Sequence, residues 1–172
     1  EPLSRAYAAR AALARGDEAA AVGHVDAFGE RHPATRAILR AEHAMARGNP
    51  RDAVLALELP QAQPLPPHGL RLRAEALAAS GRADQAYGLL GSLRQQQALP
   101  GARLDALQPE WAAQSLQQAT DANVLADRWD ALPAALRTTP PVAAAYATRA
   151  SGMGWDEAAT RSLEQALDAA WN

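Results

Sequence analysis

The side chains that could do chemistry in this chain are four histidines (His24, His32, His43 and His68), two methionines and nineteen carboxylates. The histidines do not fall at metal-ligand spacing. No H-E-x-x-H segment occurs, and the absence of cysteine excludes thiolate sites and cysteine nucleophiles. Lysine is absent too, every basic residue being arginine. That removes Schiff-base chemistry and the phosphate loop that depends on an ε-ammonium. Adjacent carboxylates such as Asp156 and Glu157 diverge on a helix and suit a solvated helix start better than an acid–base pair. Gly152-Met153-Gly154 lacks the third glycine and the strand-to-helix setting of a dinucleotide-binding turn. The residues point away from an enzyme.

The elements that would position these side chains are helices. Val, Ile and Thr together number only twelve of 172 residues, whereas Ala, Leu, Arg, Gln and Glu dominate. Net charge is −2 with acidic and basic residues interspersed, so no basic face invites nucleic acid. No apolar run approaches the roughly 18–20 residues of a membrane helix, and no signal peptide is evident. The opening on Glu1 suggests a fragment of a longer protein.

A repeat organises the chain. Gly16, Gly48, Gly81 and Gly154 are each followed five residues later by an alanine (Ala21, Ala53, Ala86, Ala159). Each is preceded by another alanine seven residues earlier (Ala9, Ala41, Ala74, Ala147). A period near 34 with small residues at these offsets is the signature of the tetratricopeptide repeat, a helix–turn–helix unit that stacks into a solenoid. The glycine is expected to end the first helix in a left-handed turn. The alanines are expected to mark close helix approach.

The expected fold is therefore all-α, a single domain of about five helical hairpins over residues 2–33, 34–66, 67–100, 101–139 and 140–172. Predicted helices run Pro2–Arg15, Glu18–Arg31, Ala34–Arg47, Pro50–Leu59, His68–Ser80, Ala83–Gln97, Leu104–Ala119, Asn123–Arg137, Pro141–Gly152 and Trp155–Trp171. Leu59–Pro67, with four prolines, reads as a loop. The fourth unit lacks its marker glycine; Pro109 is expected to start or kink its first helix and Pro133 to bend its second. Trp111 and Trp129 are expected to fill that unit's interior. Trp155, Ala159, Leu163, Ala166, Leu167, Ala170 and Trp171 form one apolar stripe along the last helix.

Such arrays work through the face lined by the first helix of each unit. Counting from the markers, that face includes Leu3, Arg10, Leu13, Thr35, Ile38, Glu42, Met45, His68, Arg71, Glu75, Thr148 and Ser151. Arg10, Glu42, His68, Arg71 and Glu75 form a mixed-charge groove suited to a peptide or protein segment.

The second half also carries a family likeness. Trp111, the run Trp129-Asp130-Ala131-Leu132-Pro133-Ala134-Ala135-Leu136-Arg137, the segments Val142–Ala147 and Gly154–Ala159, and the terminal Leu163, Leu167 and Trp171 resemble the C-terminal region of the proteobacterial HemY family. The segments Gly88–Leu99 and Tyr7–Asp17 extend the likeness over nearly the whole chain. The resemblance implies a bacterial inner-membrane protein linked to late haem biosynthesis or porphyrin handling. Its anchor would lie outside this chain, and its helical-repeat domain would face the cytoplasm. From the residues themselves, the last helix carries Asp156, Glu157, Glu164 and Asp168 against one Arg161 and is expected to be a poor lipid binder, so no membrane contact is expected of this fragment. The expected function is a non-catalytic scaffold for other proteins, late haem-pathway enzymes among them. The alternative is a generic adaptor in envelope assembly. No cofactor is required. Were haem to bind, His43 and His68 are the candidate contacts, with Met45 or Met153 as a second ligand.

Overall fold

The computed structural model describes residues 2–28 and 32–171, and among them every regular element is helical. The chain divides into two compact units, Glu1–Ser80 with Gln96–Ala98, and Gly81–Gln95 with Leu99–Asn172. The divide falls inside the third expected repeat, between its first helix and the marker glycine Gly81.

The first unit holds α1 (Pro2–Ala14), α2 (Glu18–Asp26), α3 (Pro33–Ala46), α4 (Pro50–Leu57) and α5 (Pro67–Ala79). Two turns of one design create its hairpins. Gly16 and Gly48 have φ of +74° and +73°, a conformation that costs an L-residue but not glycine. Beyond each, the next amide reaches back along the helix: Asp17 N–H donates to Ala12 O at 2.9 Å and Asn49 N–H to Ala44 O at 2.8 Å. The carbonyls orphaned at the helix end are thereby satisfied, and the chain reverses. α2 and α4 then pack back on α1 and α3.

The marker alanines Ala9, Ala21, Ala41 and Ala53 are all fully buried in this unit, as expected of seams where a methyl group is the largest side chain that fits. Val25, Phe28 and Leu39 complete the core beside Ala6 and Ala9. α3 is central, touching α1, α2, α4 and α5. Gly69 sets the approach of α5. A Cβ there would lie 3.0 Å from Ile38 Cδ1, so the two helices meet nearly backbone to side chain.

Several boundaries differ from expectation. The last residues of the predicted Glu18–Arg31 helix (29–31) lie outside the described residues. The proline-rich loop is shorter than expected: it contains a 3₁₀ turn at Pro60–Ala62, and Pro67 opens α5, where a proline ring suits the first helical turn.

The second unit holds α6 (Ala83–Gly88), α7 (Leu90–Gln95), α8 (Gly101–Gln117), α9 (Ala122–Asp130), α10 (Ala134–Arg137), α11 (Pro140–Ser151) and α12 (Asp156–Trp171). The predicted Ala83–Gln97 helix is interrupted between α6 and α7, next to Gly88, a residue that gives a helix little support. Pro133 ends a helix instead of bending it. α9 stops at Asp130 and α10 begins after the proline, which drives the preceding residue out of helical geometry. Arg137 ties the break by donating from Nε to Leu132 O at 2.9 Å. Pro109, by contrast, sits inside α8 without ending it.

Bulky side chains seal this unit. Trp111 is buried. Trp129 stacks on Tyr146 of α11 with ring centres 3.9 Å apart, so it bridges two expected repeats and is not confined to the fourth. Gly154, at φ +80°, and the Trp155 N–H to Ala150 O bond of 2.9 Å reproduce the hairpin turn between α11 and α12. The last helix departs from its expected stripe. Ala159, Ser162 and Ala166 are buried, whereas Leu163, Leu167 and Trp171 are exposed.

Candidate functional site

Arg10, Glu42 and Glu75 each come directly after a marker alanine, so they occupy equivalent positions on α1, α3 and α5. Equivalent positions on packed helices face the same way, and here they are joined. The Arg10 guanidinium grips Glu42 with two parallel bonds, Nε to Oε2 at 2.9 Å and Nη2 to Oε1 at 2.8 Å. His68, in the first turn of α5, places Nε2 2.7 Å from the same Oε1. Arg71 Nη2 lies 3.2 Å from His68 Nδ1, and Arg71 Nε is 3.8 Å from Glu75 one turn further on. Four of the five residues singled out in the sequence, Arg10, Glu42, His68 and Arg71, thus form one hydrogen-bonded ladder across three helices of the first unit, and Glu75 stands at ion-pair distance from Arg71, whose buried Nε has no hydrogen-bond partner among the described residues.

The chemistry of the ladder fixes its protons. A guanidinium only donates, so Nδ1 of His68 must be bare and accept from Arg71. Its proton then sits on Nε2 and is donated to Glu42. Glu42 is the keystone, with its side chain 17% exposed against 46% for Arg10 and 41% for His68. Burial pushes its carboxyl group upward, but the hydrogen bonds from Arg10 and His68 together outweigh this and hold it below the usual carboxylate range. The Arg10–Glu42 hydrogen bond also pushes the Arg10 guanidinium further up. Charges alternate along the ladder and nearly cancel. The strip therefore offers fixed donors and acceptors, not a net field, which suits polar peptide groups better than a free ion.

Other residues expected on this face behave differently. Ile38 is buried against α5 and does not line an open groove. The side chain of Leu3 lies outside the described residues. His43 is the residue after Glu42 and is turned about 100° from it around the helix. It lines a pocket of about 120 Å³ with Val22, Val25, Asp26 and Arg40, and its Nε2 is buried without a hydrogen-bond partner among the described residues. The structure does not join His43 to the ladder that holds His68. Met153 packs against the core of the second unit.

A cleft on α3 was not foreseen from the residue spacing. Arg36 and Arg40, one turn apart on that helix, border a space of about 470 Å³ with Pro33, Ala37, Leu59, Gln61 and Ala62. Arg40 is neutralised by Asp26 at 2.8 Å. The signal available was the i, i+4 arginine pair beside the proline-rich loop, but sequence spacing did not show that the loop folds over α3.

Among the described residues no helix is long and apolar enough to cross a membrane, and no group of three or more His, Asp and Glu is placed to hold a metal ion. Compared with known proteins, the chain matches no family model, no curated protein and no solved structure.

Proposed function

We propose that this chain is a non-catalytic scaffold of tetratricopeptide type that holds a segment of another protein against the face carrying Arg10, Glu42, His68, Arg71 and Glu75. The observation that carries this reading is the ladder itself. Four polar residues at repeat-equivalent or neighbouring positions are hydrogen-bonded into one pre-ordered strip, with Glu75 at ion-pair distance from its end, and pre-ordering lowers the entropy cost of binding. The repeated left-handed turns and buried marker alanines support stacked hairpins as the architecture. The resemblance to the HemY family supports the setting: late haem biosynthesis or porphyrin handling at the bacterial inner membrane, with a late-pathway enzyme as partner.

Affinity purification of the parent protein from its native membrane tests the proposal. Wild-type bait should recover a late haem-pathway enzyme, and Glu42→Ala combined with Arg71→Glu should reduce that recovery several-fold. Recovery of envelope-assembly proteins in its place transfers the scaffold to that second role. Recovery unaffected by the double variant removes the ladder from binding. Haem contact is tested separately by titration with ferric haem. A saturable Soret change should weaken in His43→Ala or His68→Ala, and curves unchanged in both variants exclude these residues.

A further inference from the structure

α12 meets α11 through small residues, Ala159, Ser162 and Ala166, and leaves its large apolar side chains outside. Leu163, Leu167 and Trp171 are 43%, 59% and 87% exposed. Spaced four residues apart, they form one ridge along the helix. Glu164 and Asp168 each come directly after a ridge residue, and Glu157 lies two turns before Glu164, so these three carboxylates form a row along the ridge on the side away from the buried seam. Arg161, the sole cation on the helix, lies one turn after Glu157 on the same side, so three carboxylates and one guanidinium leave the row net negative; Asp156, at the helix start, accepts a hydrogen bond from Ser151 Oγ at 2.7 Å.

We propose that this ridge docks a basic amphipathic helix of a partner polypeptide, its apolar residues seated on Leu163, Leu167 and Trp171 and its arginines or lysines aligned with Glu157, Glu164 and Asp168. The charge pattern selects this occupant. A second copy of the chain, paired antiparallel about a two-fold axis, would bring each acidic row against itself. Anionic lipid would meet the same repulsion. A helix with apolar residues at i, i+3 or i+4 and i+7 and a cationic flank satisfies both the ridge and the row. The tryptophan at the end of the ridge supplies an anchor of the kind that dominates helix docking. The surface belongs to the second unit and is independent of the ladder, so it adds to the proposed scaffold without resting on the ladder's role.

The test uses three synthetic peptides: a helical Leu/Ala/Arg amphipath, the same sequence with Glu replacing Arg, and a composition-matched scramble of the first. Binding is measured by tryptophan fluorescence and calorimetry. The basic amphipath should bind and shift the emission to the blue. The Leu167→Ser/Trp171→Ser variant should abolish binding while keeping helical circular dichroism, because both side chains are exposed. Glu164→Lys/Asp168→Lys should weaken the basic peptide about ten-fold and improve the acidic one. Equal binding of acidic and basic peptides, or of the scramble, overturns the proposal. So does wild-type self-association that the Leu167→Ser/Trp171→Ser variant abolishes, which would make a second copy the occupant. Partner recovery that is unaffected by the ladder variant, with peptide binding intact, overturns the proposed function alone, and ladder-dependent recovery without peptide binding overturns this inference alone.

Discussion

The two units use one hairpin grammar to opposite ends. In both, a left-handed glycine closes the first helix and a buried alanine on each side lets the second pack back, as at Gly48 with Ala41 and Ala53, and at Gly154 with Ala147 and Ala159. They part at the position directly after the marker alanine. In the first unit that residue is Arg10, Glu42 or Glu75, and Arg10 and Glu42 tie two helices through a polar strip. In the second it is Thr148, while the neighbouring Arg149 turns inward to Ala119 O with Nε at 2.8 Å, and aromatic rings fill the interior. The backbone design is thus separable from the use of the face. Small residues fix where helices meet, and the adjacent position carries the polar strip in the first unit but only an exposed threonine, Thr148, in the second.

Removing a large side chain from the aromatic unit should break this comparison most visibly. Trp111 is 2% exposed, so Trp111→Ala should cost about 3–5 kcal/mol in urea unfolding. A loss below about 1 kcal/mol would mean that the bulky residues do not carry the second unit. The next effect tests the shared grammar. Ala41→Leu forces a larger side chain into a fully buried seam and should cost about 1–3 kcal/mol, with helical content retained until unfolding begins. Gly48→Ala should come next at about 1–2 kcal/mol, because φ of +73° disfavours any Cβ.

The smallest effect sharpens the contrast in surface chemistry. Glu42 has a native pKa below its unfolded value. Its contribution is therefore fully present above that unfolded value and is lost as pH falls through the lower native value. Stability plotted against pH should show this acid limb in the wild type and a flatter one in Glu42→Gln. Identical acid limbs would show that Glu42 is not tied in the native state.

Much of this was legible because the repeat offsets are tied to backbone geometry. The marker glycines and alanines specify turn and seam directly, and counting from them gathered Arg10, Glu42, His68, Arg71 and Glu75 onto one face. Less legible were features set by tertiary context. Ile38 shares the groove-side helix but is consumed by the approach of α5 at Gly69. His43 shares the helix with Glu42 but turns to the pocket beside α2. Periodicity placed Leu163 and Trp171 on the same stripe as Ala159, yet α11 covers only the part lined by small residues. The Arg36–Arg40 cleft depends on a loop whose path spacing alone does not encode.

The polar ladder is tested most directly by nitrogen NMR of the His68 imidazole at alkaline pH, where the ring of any histidine is neutral and only its tautomer is in question. The ladder predicts the tautomer protonated on Nε2, with Nδ1 accepting from Arg71, and a shift of the Nε2 resonance in Glu42→Gln. A ring protonated on Nδ1, or one whose spectrum is the same in Glu42→Gln and in the wild type, would contradict it.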